Sequence, residues 1–129
     1  MNLLLDTHAF LWWLRDDRSL GKKARAAIEK PENLVFVSAA SAWEVATKRA
    51  RGKLPGLPPS GDIEEWIELT GCTPISIDVR HAVVAGQLPL HHRDPFDRLL
   101  VAQSRAESLR LMTGDKIVAR YGEHVMLVG

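Results

Sequence analysis

Short apolar runs alternate with amphipathic stretches along the whole chain, and that alternation predicts strand and helix in turn. Asn2–Leu5 is apolar, too short for a helix, and stops at Asp6, which reads as a buried strand. His8–Arg15 places Phe10, Leu11 and Leu14 at helical spacing. A second helix is expected over Leu20–Lys30, with Ser19 as its N-cap and Pro31 as its stop. Leu34–Val37 is the next strand, and Ala39–Arg51 a helix closed by Gly52. Lys53–Gly61, rich in proline and glycine, is a loop. Asp62-x-x-Glu65 has the spacing of a capping box and opens a helix to Thr70.

The second half repeats the scheme. Pro74–Ile77 is a brief strand, Val79–Gln87 a helix and Leu88–Arg93 a polar loop. Asp94-Pro95 starts a helix to about Ser108, with Asp94 as cap and proline where its missing N–H does no harm. Leu109–Thr113 and Val125–Val128 are the last strands, separated by a helical turn near Lys116. There is no internal repeat and no linker. The pattern predicts one α/β domain over residues 1–129, with a mostly parallel sheet covered by helices on both faces.

Composition narrows the class. The 129 residues are 46% hydrophobic and 26% charged, values that exclude disordered, collagen-like and coiled-coil chains. The lone Cys72 has no partner for an internal disulfide, which suits a reducing compartment. No secretory pattern opens the sequence, and the early apolar run Ala9–Leu14 falls far short of the roughly 20 residues of a membrane span. A soluble cytoplasmic protein is expected. The net charge of +1 conceals clusters at Lys48, Arg49, Arg51 and Lys53, and at Arg15, Arg18, Lys22, Lys23 and Arg25. On charge alone these are solvated helix faces.

Four acids gain meaning from the order of elements. Asp6 follows the first strand, Glu44 lies in the helix after the second, Asp97 sits in the first turn of the long helix, and Asp115 follows the strand ending at Thr113. In open parallel sheets, sites form outside the carboxyl ends of the strands. Carboxylates gathered there repel one another, and a divalent cation such as Mg²⁺ or Mn²⁺ relieves the repulsion. Each acid also has a plain structural role open to it. Asp6 can cap a helix. Glu44 can close a Ser41-x-x-Glu44 box or pair with Lys48. Asp97 can compensate the helix dipole, and Asp115 can serve a turn.

Taken together, these segments resemble the PIN-domain family, specifically VapC-type toxins of toxin–antitoxin systems. The resemblance rests on Leu3-Leu4-Leu5-Asp6-Thr7-His8, on Ser38-Ala39-Ala40-Ser41-Ala42-Trp43-Glu44-Val45, and on Gly52-Lys53-Leu54. Its most specific part is His92-Arg93-Asp94-Pro95-Phe96-Asp97-Arg98-Leu99-Leu100-Val101-Ala102-Gln103. Leu111-Met112-Thr113-Gly114-Asp115 and Tyr121-Gly122 complete it. It implies a PIN-like domain over residues 1–129 and a metal-dependent endoribonuclease with Asp6, Glu44, Asp97 and Asp115 as its acidic site. Asp6 and Asp97 would be the main ligands of Mg²⁺ or Mn²⁺. Glu44 would bind the metal directly or through water and position the attacking water, and Asp115 would complete the cluster. Thr7 and Thr113 are candidates to donate hydrogen bonds to ligating carboxylates. The resemblance further implies a homodimer and a VapB-like antitoxin whose tail covers the site.

With the four site acids balanced by metal, 17 basic residues face 12 remaining acidic ones, and a surplus of +5 is left in view of an RNA. Lys48 and Arg51, one and two turns past Glu44, are then candidates for phosphate contact. Two readings of other kinds compete. A receiver-like signalling domain would need a phosphoacceptor such as Asp78 and a late lysine such as Lys116. A catalytically silent antitoxin-binding protein would need none of the four acids. Nucleophile and P-loop motifs are absent. His91 and His92 match no zinc spacing and read as a solvated loop. Trp12, Trp13, Trp43 and Trp66 are core or dimer candidates, with Trp43 a lesser candidate for stacking on a base.

Overall fold

Three leucines without exposed surface form the middle of the molecule. The computed structural model describes residues 1–129 and opens with them as β1 (Leu3–Leu5). Then come α1 (Thr7–Leu14), a 3-10 turn (Arg18–Leu20), α2 (Lys22–Glu29), β2 (Val35–Ser38), α3 (Ala39–Ala50), α4 (Ile63–Leu69) and β3 (Thr73–Ile75). α5 (Val79–Gln87), α6 (Pro95–Ala106), β4 (Arg110–Thr113), a 3-10 turn (Val118–Tyr121) and β5 (Val125–Leu127) complete the chain.

The strands form one sheet in the order β3-β2-β1-β4-β5, every pair parallel. Successive strand residues point to opposite faces, so β1 serves two cores at once. Leu3 and Leu5 join Phe10, Leu20, Val45, Ile63 and Trp66 on one face. Leu4 joins Leu100, Val101, Leu111, Val118 and Tyr121 on the other. Each of these leucines contributes about 1.5–3 kcal/mol by leaving water. Helices therefore cover both faces, as the continuous apolar strands require. No helix is long and apolar enough to cross a membrane.

Several boundaries differ from the sequence expectation, each for a local reason. Ser19 does not cap α2. Gly21, at φ +82°, separates α2 from the preceding turn, and Asp17 caps that turn by accepting from Ser19 N–H at 2.9 Å. β3 stops at Ile75 because its neighbour β2 ends at Ser38, the residue paired with Ile75. The last helical turn lies at Val118–Tyr121, past Lys116. Asp62 does cap α4, accepting from Glu65 N–H at 3.2 Å. Buried His81 closes a capping box with Asp78 on α5 and reaches Glu107, past the end of α6, at 3.0 Å.

Candidate active site

The chain leaves β1 toward β2 on one side, and later returns to place β4 on the other. The carboxyl ends of β1 and β4 thus flank the point where the topology reverses, the place where parallel sheets open a crevice. Leu5 pairs with Met112, so the next residues along, Asp6 and Thr113, come face to face. Asp6 does two jobs there. Its Oδ1 accepts from Ala9 N–H at 2.8 Å and caps α1, while its Oδ2 accepts from the Thr113 hydroxyl at 2.6 Å. It is only 5% exposed, and burial pushes its carboxyl above the ordinary value despite both hydrogen bonds.

α3 delivers Glu44 from the β2 side. Its cap is Ser38, whose Oγ accepts from Ala40 N–H at 3.0 Å, so the box spelled by Ser41 and Glu44 does not form. Ser41 is instead buried one turn inside the helix, 3.0 Å from Thr7 Oγ1, and Thr7 donates to Glu44 Oε1 at 2.5 Å. Glu44 Oε2 pairs with Lys48 one turn on, and that hydrogen bond raises the lysine's affinity for its proton. Arg51 follows at the helix end, exposed.

α6 brings in the third acid. Asp94 caps it, accepting from Phe96 N–H at 2.8 Å and Asp97 N–H at 3.3 Å, the structural role expected of it. Asp97, in the first turn, is pushed from 3.8 up to about 7. Burial is the largest cause, with repulsion from Asp94, Asp6 and Glu44 added and the His92 ring pulling the other way. Asp115 lies past β4, where Ile117 N–H donates to its Oδ1 at 2.7 Å. Partial burial pushes Asp115 up, but the Ile117 N–H and the His92 ring outweigh it and leave the carboxyl below its ordinary value.

All four predicted acids line one cleft of about 570 Å³, together with Asp94, His92, Lys48 and Lys116. Within it, His92 Nε2 and single oxygens of Asp97 and Asp115 lie within 4.8 Å of one another, a grouping that does not include Asp6 or Glu44. Sequence reasoning missed His92. The ring is not a solvated loop side chain; it is 18% exposed, with Nε2 3.0 Å from Asp115 Oδ2 and 3.2 Å from Asp97 Oδ2. The available signal was local, since Nδ1 accepts from the N–H of Asp94 two residues on.

The donor set fits a hard divalent cation: it is made of carboxylate oxygens, and at Asp6 and Asp97, where burial favours the protonated form, such an ion supplies the neutralising charge instead. The aromatic residues divide. Trp66 is core, while Trp43 is 60% exposed and rests edge-on against Phe96. Trp12 lines the cleft beside Gly114, where a Cβ would stand 2.7 Å from its Cη2. The receiver-like alternative loses its phosphoacceptor, because Asp78 spends its carboxylate capping α5.

A sequence profile of the PIN domain matches residues 3–124, and the chain belongs to the PIN-domain family. Among its relatives, Ribonuclease VapC22 of Mycobacterium tuberculosis (strain ATCC 25618 / H37Rv) is 30% identical over 118 residues, covering 88% of this chain and 87% of the relative. Ribonuclease VapC16 of the same organism is 37% identical over 60 residues, 46% of this chain and 43% of the relative. The fold is similar to that in VapBC2 from Rickettsia felis bound to a promoter DNA fragment, with TM-score 0.66, 16% identity, and 98% and 97% of the two chains covered. A toxin–antitoxin complex from Klebsiella pneumoniae is likewise similar, with TM-score 0.63, 19% identity, and 96% and 95% covered.

Proposed function

We propose that this protein is the toxin of a VapBC-type toxin–antitoxin pair, an endoribonuclease that hydrolyses RNA phosphodiester bonds at a divalent metal site. The observation that carries this reading is the convergence of Asp6, Glu44, Asp97 and Asp115, from four separate segments, on one cleft. Its relative named a VapC ribonuclease supports the choice of substrate.

In this reading Asp6 and Asp97 supply the principal oxygen ligands, Glu44 takes part directly or through water, and Asp115 completes the acidic wall. Mg²⁺ or Mn²⁺ bound there would lower the pKa of a water, orient the scissile phosphate and stabilise the leaving oxyanion. The chain's own groups prepare the site. Thr113 and Thr7 hold Asp6 and Glu44 by their hydroxyls. Glu44, paired with Lys48, orients the attacking water. Lys48, on α3, and Arg51, just past its end, extend toward RNA phosphates. A VapB-like antitoxin covers the cleft, and the toxin works as a homodimer in the cytoplasm.

The test is cleavage of structured RNAs by the purified protein and its Asp6→Asn form, with Mg²⁺, Mn²⁺ or chelator. Cleavage by the wild type alone, abolished by chelator, is expected. Equal cleavage by the variant, or in chelator, would rule the reading out.

A further inference from the structure

His92 is held in place by hydrogen bonds from both its backbone and its ring. Its backbone N–H donates to Tyr121 Oη at 3.0 Å, and its carbonyl accepts from Arg98 Nη1 at 3.3 Å. The same guanidinium donates to the carbonyls of Ala85, Leu88 and Pro89, tying the loop to the end of α5. Every polar group of the residue is engaged. Fixing a backbone segment costs about 1–2 kcal/mol per residue in lost conformational freedom. The hydrogen bonds through Tyr121 and Arg98 offset that cost, and the ring they place lies in a polar cleft.

The ring's hydrogen bonds define its role. Nδ1 accepts from Asp94 N–H at 3.1 Å, which requires a bare Nδ1 and assigns the ring proton to Nε2. Nε2–H donates to Asp115 Oδ2 at 3.0 Å, and Asp97 Oδ2 lies 3.2 Å away. Asp115 then has both oxygens occupied, one by His92 and one by Ile117 N–H. Asp97 Oδ1 accepts no hydrogen bond from any side chain or backbone N–H. A metal-ligating Nε2 would have to give up its proton to Nδ1, and Nδ1–H would then meet the Asp94 N–H donor head to head.

We infer that His92 is a positioning residue of the metal site: its Nε2–H ties Asp115 to the side of Asp97, fixes the Asp97 carboxylate for a divalent cation, and stays off the ion itself. The inference rests on the metal-site reading above and deepens it. Groups that hydrogen-bond to ligands in this way typically change metal affinity about 10–100-fold when removed.

Calorimetric titration of Mn²⁺ into the metal-free protein tests it, comparing wild type, Asp6→Asn, His92→Ala and His92→Gln at pH 8. The glutamine amide offers an N–H donor near the Nε2 position. His92→Ala should bind Mn²⁺ about 10–100-fold more weakly, and His92→Gln should return to within about threefold of wild type. Nitrogen-15 spectra of the ring should show the proton on Nε2 both without metal and with saturating Mg²⁺. Wild-type affinity in His92→Ala, or a glutamine variant as weak as the alanine one, would overturn the inference. So would migration of the ring proton to Nδ1 on adding Mg²⁺, which would make His92 a ligand. Should His92→Ala fail to fold, the glutamine variant and the ring spectra decide. A wild type that binds no Mn²⁺ defeats the metal site and this inference together. Binding that Asp6→Asn abolishes and His92→Ala leaves intact defeats this inference alone.

Discussion

Burial and charge conflict at Asp97, and removing its charge should stabilise the metal-free fold. Its carboxyl is pushed from 3.8 to about 7, first by burial and then by Asp94, Asp6 and Glu44. The folded state therefore holds this proton more tightly than the unfolded chain does. The resulting destabilisation is absent below about pH 4, grows as pH rises, and is complete above about pH 7. At about 1.36 kcal/mol per pH unit, the full effect is at most ~4 kcal/mol. The side chain is still 21% exposed, and solvent screening reduces the figure to about 2–3 kcal/mol. Asp97→Asn keeps the shape and lacks the charge. In chelator it should exceed the wild type by about 2–3 kcal/mol at pH 8 and by less than about 1 kcal/mol at pH 4.5. Denaturant titration at the two pH values measures both differences. Divalent cation should reverse the order, since an ion at about 1,000 times its Kd adds about 4.1 kcal/mol to the protein that binds it. Equal stability at pH 8, or a gain that ignores pH, would refute the reasoning.

Other expectations follow from individual side chains. Thr113→Val removes the donor 2.6 Å from Asp6 Oδ2, and metal-dependent RNA cleavage should fall about 10–100-fold in a rate assay. Arg98→Ala strips the carbonyls of Ala85, Leu88, Pro89 and His92 of their shared donor; thermal unfolding should show a loss of about 2–4 kcal/mol, with faster hydrogen exchange over residues 88–94. Lys48→Ala/Arg51→Ala should weaken RNA binding and flatten its salt dependence, by about 0.7 in slope for each phosphate the variant no longer neutralises. Unchanged affinity and slope would remove both residues from the RNA-facing surface.

The fold was legible in the chain because its central strands are buried on both faces and its helices on one. Leu3-Leu4-Leu5 could serve only a central strand, and Asp94-Pro95 could open only a helix. Element ends were harder to read because neighbours decide them. Ile75 ends β3 through its pairing with Ser38, a residue 37 positions away in sequence. Ser19 has the right chemistry for a cap, but the positive φ of Gly21 starts α2 elsewhere. At the site, topology brought the four acids to one edge, which a sequence can foretell once its strands are placed. Local motifs were less reliable: Ser41 and Glu44 spell a box, yet Ser41 is buried beside Thr7, with Thr7 donating to Glu44. His92 was invisible for the opposite reason. Its value comes from Asp115, 23 positions away, and from Tyr121 and Arg98, which hold its backbone.

Anomalous diffraction from crystals grown with Mn²⁺ addresses the shared site most directly. A peak bounded by the carboxylates of Asp6, Glu44 and Asp97 is the predicted result. An ion seated elsewhere, or none at saturating Mn²⁺ in a protein that still cleaves RNA, would contradict it.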